Sequence, residues 1–253
     1  MEKEEISIMD LIIETHVGLN RQGPGSDDMT LKAICFMESF NRNSRVLDLG
    51  CGTGGQTRLL ADFIPGDIIG VDLIPEFINE FNDRAKRFNL QDRVKGIVGS
   101  MDDLSCENEE FDLIWSEGAI DNIGFQKGLS YWNGFLKKNG YIAVTSPSWL
   151  TNKRPTEVEK FWLSEGSELA TIEDNISIML KEGYAFISAF TLPVTCWTDN
   201  YFIPRNWEGK QLLEKYPGNK TVEDYVKNDE YEAELYSKYY QDYGYVFYIG
   251  QKL

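Results

Sequence analysis

Five short apolar runs, Arg45–Leu49, Asp67–Val71, Val94–Val98, Phe111–Trp115 and Tyr141–Thr145, alternate with amphipathic stretches along the first half of the chain. Parallel strands need a crossover connection, usually a helix, so this rhythm predicts βαβ units and a parallel sheet. Gln56–Phe63, Pro75–Phe88 and Asp121–Lys138 read as crossover helices, with Pro75 suited to a first helical position and Asn139-Gly140 to a helix stop. Beyond Thr145 the rhythm changes. Arg154–Gly166, Ile172–Gly183 and the tyrosine-rich Val222–Tyr240 look helical, and Tyr184–Leu192 and Tyr243–Gly250 look like strands. Two helices, Glu4–Val17 and Asp27–Phe40, precede the sheet, and the Gln22-Gly23-Pro24-Gly25-Ser26 join between them has the composition of a hinge.

At 253 residues the chain is expected to form one domain with its own core. Within it, residues 1–40 would be a helical lid, 41–147 the ligand-binding core, 148–206 a cap with the sixth strand, and 207–253 the C-terminal helices and final strand. The formal net charge of −16, from 41 acids against 25 bases, argues against a nucleic-acid partner and disfavours anionic membranes, since both depend on cationic side chains. No run approaches the ~18 apolar residues of a membrane span. Cys35, Cys51, Cys106 and Cys196 show no paired metal spacing and no apolar signal segment precedes them, so reduced thiols in a cytoplasmic protein without a metal are expected. A monomer and a homodimer fit equally well.

In an open α/β sheet, ligands sit beyond the carboxyl ends of the strands, so the residues closing each strand carry the chemistry. The first strand ends in Asp48 and runs into Gly50-Cys51-Gly52-Thr53-Gly54-Gly55. This satisfies the dinucleotide spacing, in which glycines let the backbone approach a pyrophosphate. An acid just ahead of the loop would repel that group and attract an ammonium or a sulfonium. Asp72 closes the second strand, where an acid can accept both hydrogen bonds of a ribose diol. The third strand runs into Gly99-Ser100-Met101-Asp102, in which Met101 can pack on an adenine face and Asp102 can accept the adenine amino hydrogens. Each acid also suits a helix cap, and Cys51 needs no role beyond fitting a tight turn. Their ordered appearance at successive strand ends is what points to a ligand.

These motifs, together with Gly70-Val71-Asp72, Phe111-Asp112-Leu113-Ile114-Trp115-Ser116 and Gly140-Tyr141-Ile142-Ala143-Val144, resemble those of the class I S-adenosylmethionine (SAM) dependent methyltransferases, and the resemblance covers nearly the whole chain. Gln22–Ser26 and Trp115–Ile120 are similar to a bacterial subgroup acting on small molecules. The resemblance implies a Rossmann-like α/β fold with a seven-stranded sheet whose last strand is antiparallel, a helical N-terminal lid, and an insertion before the sixth strand. It also implies a cofactor site of Asp48, Gly50, Cys51, Gly52, Gly54, Asp72, Leu73, Ser100, Met101, Asp102 and Ser116. In that site the glycine loop and Asp48 hold the methionine end of SAM, Asp72 the ribose, and Met101 and Asp102 the adenine. The product would be S-adenosylhomocysteine (SAH).

A general base is needed only if the nucleophile arrives protonated, and Glu117 and Asp121 stand nearest for that role, although Asp121 also suits an N-cap. Trp149, Trp197 and Tyr201 are expected to wall the substrate, although aromatics at such spacings also build cores. His16 reads as a boundary residue on the first helix that would reach the site if that helix acts as a lid. Two other readings of the cofactor motifs are a non-catalytic SAM/SAH-binding module and a quinone-precursor C-methyltransferase. A nucleotide-linked oxidoreductase would require the dinucleotide reading of the loop.

Overall fold

The computed structural model describes residues 6–38 and 40–253. Helices α1 (Ile8–His16) and α2 (Asp27–Ile34) are capped by the Ser7 and Ser26 hydroxyls and lead into the sheet. The expected start of the first helix at Glu4 lies outside the described residues, as does position 39 near the expected end of the second. The alternating unit follows as β1 (Arg45–Leu49), α3 (Gly55–Phe63), β2 (Asp67–Asp72), α4 (Pro75–Arg87), β3 (Val94–Val98), β4 (Phe111–Ser116), α5 (Phe125–Asn133) and β5 (Leu136–Trp149). The remainder is α6 (Thr156–Ser164), β6 (Ala170–Thr171), α7 (Ile172–Lys181), β7 (Tyr184–Thr191), α8 (Val194–Trp197), α9 (Ile203–Lys215), α10 (Lys220–Tyr239) and β8 (Tyr243–Lys252).

The strands form one sheet in the order β3-β2-β1-β4-β5-β8-β7, with the two-residue β6 paired to β5. β1 to β5 run parallel, and β8 is antiparallel to both β5 and β7. All seven expected strands are therefore present, with β6 as an addition. Strands β1, β4 and β5 are buried almost throughout because helices cover both faces of the sheet. One face packs Val46, Leu60, Ile78 and Leu113 under α3 and α4, and the other packs Leu47, Ile114, Leu129 and Met179 under α5 and α7. Among the described residues no helix is long and apolar enough to cross a membrane.

The stretch expected as one helix from Asp121 to Lys138 is divided. Ile120–Asn122 forms a single 3-10 turn, Gly124 breaks it at φ +92°, and α5 ends at Asn133. Asn139-Gly140 does not stop a helix either. Phe111 pairs with Leu136 and Leu113 with Tyr141, so the extra residues of β5 bulge out, with Asn139 in the left-handed region. The sequence pattern also gives no sign of α9, whose apolar residues follow no clear helical period.

Candidate active site

A cavity of about 600 Å³ opens beyond the carboxyl ends of β1, β2 and β4, within the size range of small-molecule sites. Its floor is the glycine loop. Gly50 and Gly52 sit at φ +68° and +53°, a region L-residues rarely adopt, and both line the cavity. A Cβ on Gly52 would meet Gln22 Oε1 at 2.1 Å, so a side chain there would have to displace that glutamine as well as hold a left-handed backbone. Gly54 caps α3 from a left-handed conformation and faces away from the cavity.

Asp72 closes β2 at the rim of this cavity. Its two oxygens accept the Gly52 N–H at 2.9 Å and the Ile74 N–H at 3.0 Å, which ties the glycine loop to the start of α4. The N-cap of α4 is Ile74, so Asp72 is not that helix's cap residue. Each oxygen retains a lone pair that a ribose hydroxyl could use. Burial pushes the Asp72 carboxyl above the ordinary range, and the three backbone donors partly oppose this.

Asp48 has no solvent exposure and does not line the cavity. Thr57 Oγ1 donates to it at 2.5 Å and Gln56 Nε2 approaches at 3.3 Å, so the carboxyl sits beneath the first turn of α3. Burial pushes its pKa up to about 7. The cavity wall at this point is Gln56, which Asp48 orients. The Cys51 thiol is likewise fully buried and raised well above its usual pKa by burial, and its side chain plays no part in the wall.

Leu73, Ser100, Met101 and Asp102 line the opposite side. Leu73 is 64% exposed, an apolar side chain left uncovered at the cavity mouth. Met101 is fixed through its carbonyl, which accepts the Trp132 Nε1–H at 2.8 Å. Asp102 is bonded by the Ser100 hydroxyl and by Lys127 Nζ at 2.9 Å, and these bonds, Ser100 foremost, hold its pKa below the usual carboxylate value. Ser116 does not reach the cavity. Its hydroxyl donates to the Leu49 carbonyl at 2.9 Å, which locks β4 to β1.

Glu117 does line the cavity, but both of its carboxylate oxygens are engaged. It accepts Arg21 Nη1 at 2.7 Å, the Thr30 hydroxyl at 2.7 Å and Trp115 Nε1 at 3.0 Å. The arrangement suits a strut between the N-terminal segment and β4 better than a free base. Asp121, the middle residue of the 3-10 turn, lines a neighbouring cavity of about 500 Å³ that also includes Trp149. Its Oδ1 accepts the Ser146 hydroxyl at 2.6 Å, its Oδ2 is buried without a partner among the described residues, and burial raises its pKa to about 7.

Trp197 and Tyr201, expected at the substrate, are packed in the cap. Trp197 stacks on Tyr236 with ring centroids 4.3 Å apart, and the Tyr201 hydroxyl is bonded by Arg205. Large rings gain most by full burial, and the polar residues beside them in sequence lie on the other side of their short helices.

Several wall residues gave no local signal. Gln22 Nε2 stands within hydrogen-bonding distance of the His16 and Leu19 carbonyls and of Thr53 Oγ1, among which it shares its two hydrogens, and its Oε1 accepts the Thr53 N–H at 3.0 Å. Residues 17–26 therefore act as a strap laid on the glycine loop. Arg84 Nη2 and Thr53 Oγ1 also donate to the Leu19 carbonyl. Helix α1 completes the enclosure with Met9, Ile12 and His16.

A parallel sheet with an antiparallel β8, a glycine loop under a helix, and acids closing successive strands define a binding site for an adenosyl-type cofactor. A model of the methyltransferase domain family matches residues 40–191. The chain belongs to that family, the SAM-dependent methyltransferases. Tocopherol O-methyltransferase of Arabidopsis thaliana is 34% identical over 180 residues, covering 69% of this chain and 46% of that one. Sarcosine/dimethylglycine N-methyltransferase of Aphanothece halophytica is 29% identical over 126 residues, 47% of this chain and 43% of that one. The match thus spans less than half the length of these curated relatives. Among solved structures, YjhP from E. coli superposes with a TM-score of 0.81 at 18% identity, covering 96% of this chain and 99% of that one. Geranyl diphosphate C-methyltransferase from Streptomyces coelicolor A3(2), solved with SAH, gives 0.64 at 14% identity, with 89% and 79% covered.

Proposed function

We propose that this protein transfers a methyl group from SAM to a small-molecule acceptor. The observation that carries this reading is the pairing of Asp72 with Gly52, which places a carboxylate with free lone pairs beside a glycine cradle in one cavity. Bound there, SAM would supply a methyl group already activated on a positive sulfur. Gly50, Gly52 and Gln56 would hold its methionine end, Asp72 the ribose, and Met101 with Asp102 the adenine. Asp48 acts on this site through Gln56 and through its charge, without touching the ligand.

The protein's remaining task is alignment and exclusion of water. The strap and α1 enclose the cavity, while the bonds Arg21 and Thr30 make to Glu117 hold the N-terminal segment against β4. Acceptors named for the relatives, including tocopherol and sarcosine, span phenols and amines, so the family supports a small acceptor of several chemical kinds. Thermal unfolding tests the donor assignment. SAH at about 100 times its dissociation constant should add roughly 2.7 kcal/mol of stability, whereas NAD should add nothing. Stabilisation by NAD alone would overturn the assignment. SAH release across a panel of hydroxylated and amine metabolites would then separate an enzyme from a binding module.

A further inference from the structure

His16 is the only histidine of the chain and is buried in the last turn of α1, facing the cavity that contains the glycine loop. Its Nδ1 lies 2.9 Å from the Ile12 carbonyl oxygen, an atom that can only accept, so Nδ1 carries the ring proton. Thr15 Oγ1 stands 2.9 Å from the same nitrogen and donates its own hydrogen to the Leu11 carbonyl at 2.7 Å, so it too accepts from Nδ1. The Tyr225 hydroxyl, 3.0 Å from Thr15 Oγ1, extends this support into α10. Tautomer and ring orientation are thus set from one side. In the neutral ring Nε2 keeps a bare lone pair, and it has no hydrogen-bond partner among the described residues, nor is it one of their buried orphan atoms.

The surroundings favour one kind of partner for that lone pair. Burial, with the Arg205 charge adding to it, pushes the His16 pKa down to about 4, so the ring is neutral over the physiological range. Arg205 is itself paired with Asp229 and Glu232, so the neutral imidazole is what faces an incoming group, and it offers an ammonium no countercharge. The cavity-facing residues one and two turns earlier on α1 are Ile12 and Met9, which offer an apolar surface. We infer that His16 is a specificity-determining residue that accepts a hydrogen bond from an uncharged hydroxyl on an otherwise apolar methyl acceptor. This rests on the donor-binding reading of the cavity, and it narrows the acceptor from small molecules in general to phenols and alcohols.

Because there is one histidine, ring-15N-labelled protein gives one pair of imidazole resonances. With SAH bound, Nδ1 should be protonated and Nε2 bare. Phenol should then shift Nε2 towards its hydrogen-bonded position, while anisole, of similar shape but without a donor, and methylammonium should not. H16F should keep its affinity for SAH by calorimetry and lose the saturation-transfer signal of bound phenol. An Nε2 that is protonated before any probe is added, one that anisole or methylammonium moves as far as phenol does, or an H16F variant that still holds phenol would each overturn the inference. SAH binding with Nε2 unmoved by phenol would overturn this inference alone. Failure of SAH to bind would overturn the donor reading beneath it.

Discussion

Asp72 joins two tasks in one carboxylate: it fixes the loop through the Gly52 N–H, and it presents lone pairs to the cavity. D72A should weaken SAH binding by ~1–3 kcal/mol, the size of a lost charge-assisted hydrogen-bond pair, as read by titration calorimetry. An unchanged dissociation constant would reduce Asp72 to a local turn residue. Residues of this kind were legible from sequence because a strand end fixes both position and direction, and Asp72, Met101 and Asp102 all follow strands of regular pattern. Ser116 ends a strand equally well, yet its short hydroxyl is captured by the Leu49 carbonyl across the sheet, a contact that spacing along the chain does not encode. Glu117 is similar, since its partner Arg21 lies 96 positions away.

At the level of elements, the strap of residues 17–26 has the composition of a hinge, yet it is tied down by the polar contacts of one glutamine. Glycine and proline report that a segment leaves regular structure. They do not report what its side chains reach. Q22A should therefore leave the sheet intact, speed amide exchange at Leu19 and Thr53, and destabilise the fold by ~1–3 kcal/mol, because the Thr53 N–H would lose its acceptor. Exchange at Thr53 as slow as in the unmodified protein would show that the strap holds without Gln22. The cap was the least legible part for the same physical reason. Trp197, Tyr201 and Tyr236 pack mainly on one another and on β8, so their burial depends on partners from distant helices and carries no period of its own.

Across the whole molecule, buried acids set the response to pH. Burial raises both Asp48 and Asp121 to about 7, so the folded chain retains their protons where the unfolded chain has lost them. Each therefore lowers stability as pH climbs from about 4 to about 7, with no further change above that. His16, depressed to about 4, acts in the opposite direction between about 4 and 6.5. D121N isolates one group while keeping an acceptor for Ser146. Relative to the unmodified chain it should gain about 2 kcal/mol in urea unfolding at pH 8 over its difference at pH 5. Equal differences at the two values would place the Asp121 proton equilibrium elsewhere.

Helix α1 rests on the C-terminal helices through Leu11, Leu212, Val222 and Val226, and Glu14 receives Lys215 Nζ at 2.6 Å. The cover of the cavity is thus assembled from segments some two hundred positions apart in the chain. The sheet has the same property, since β8 lies between β5 and β7 and is made after both. While the ribosome is still producing residues 243–252, the inner edges of those two strands stand unpaired. The gap between them has the dimensions of a single strand and would admit one from another chain. The most vulnerable moment for this protein therefore falls between the making of β7 and the docking of β8, and its defence is the speed with which ten residues slide home.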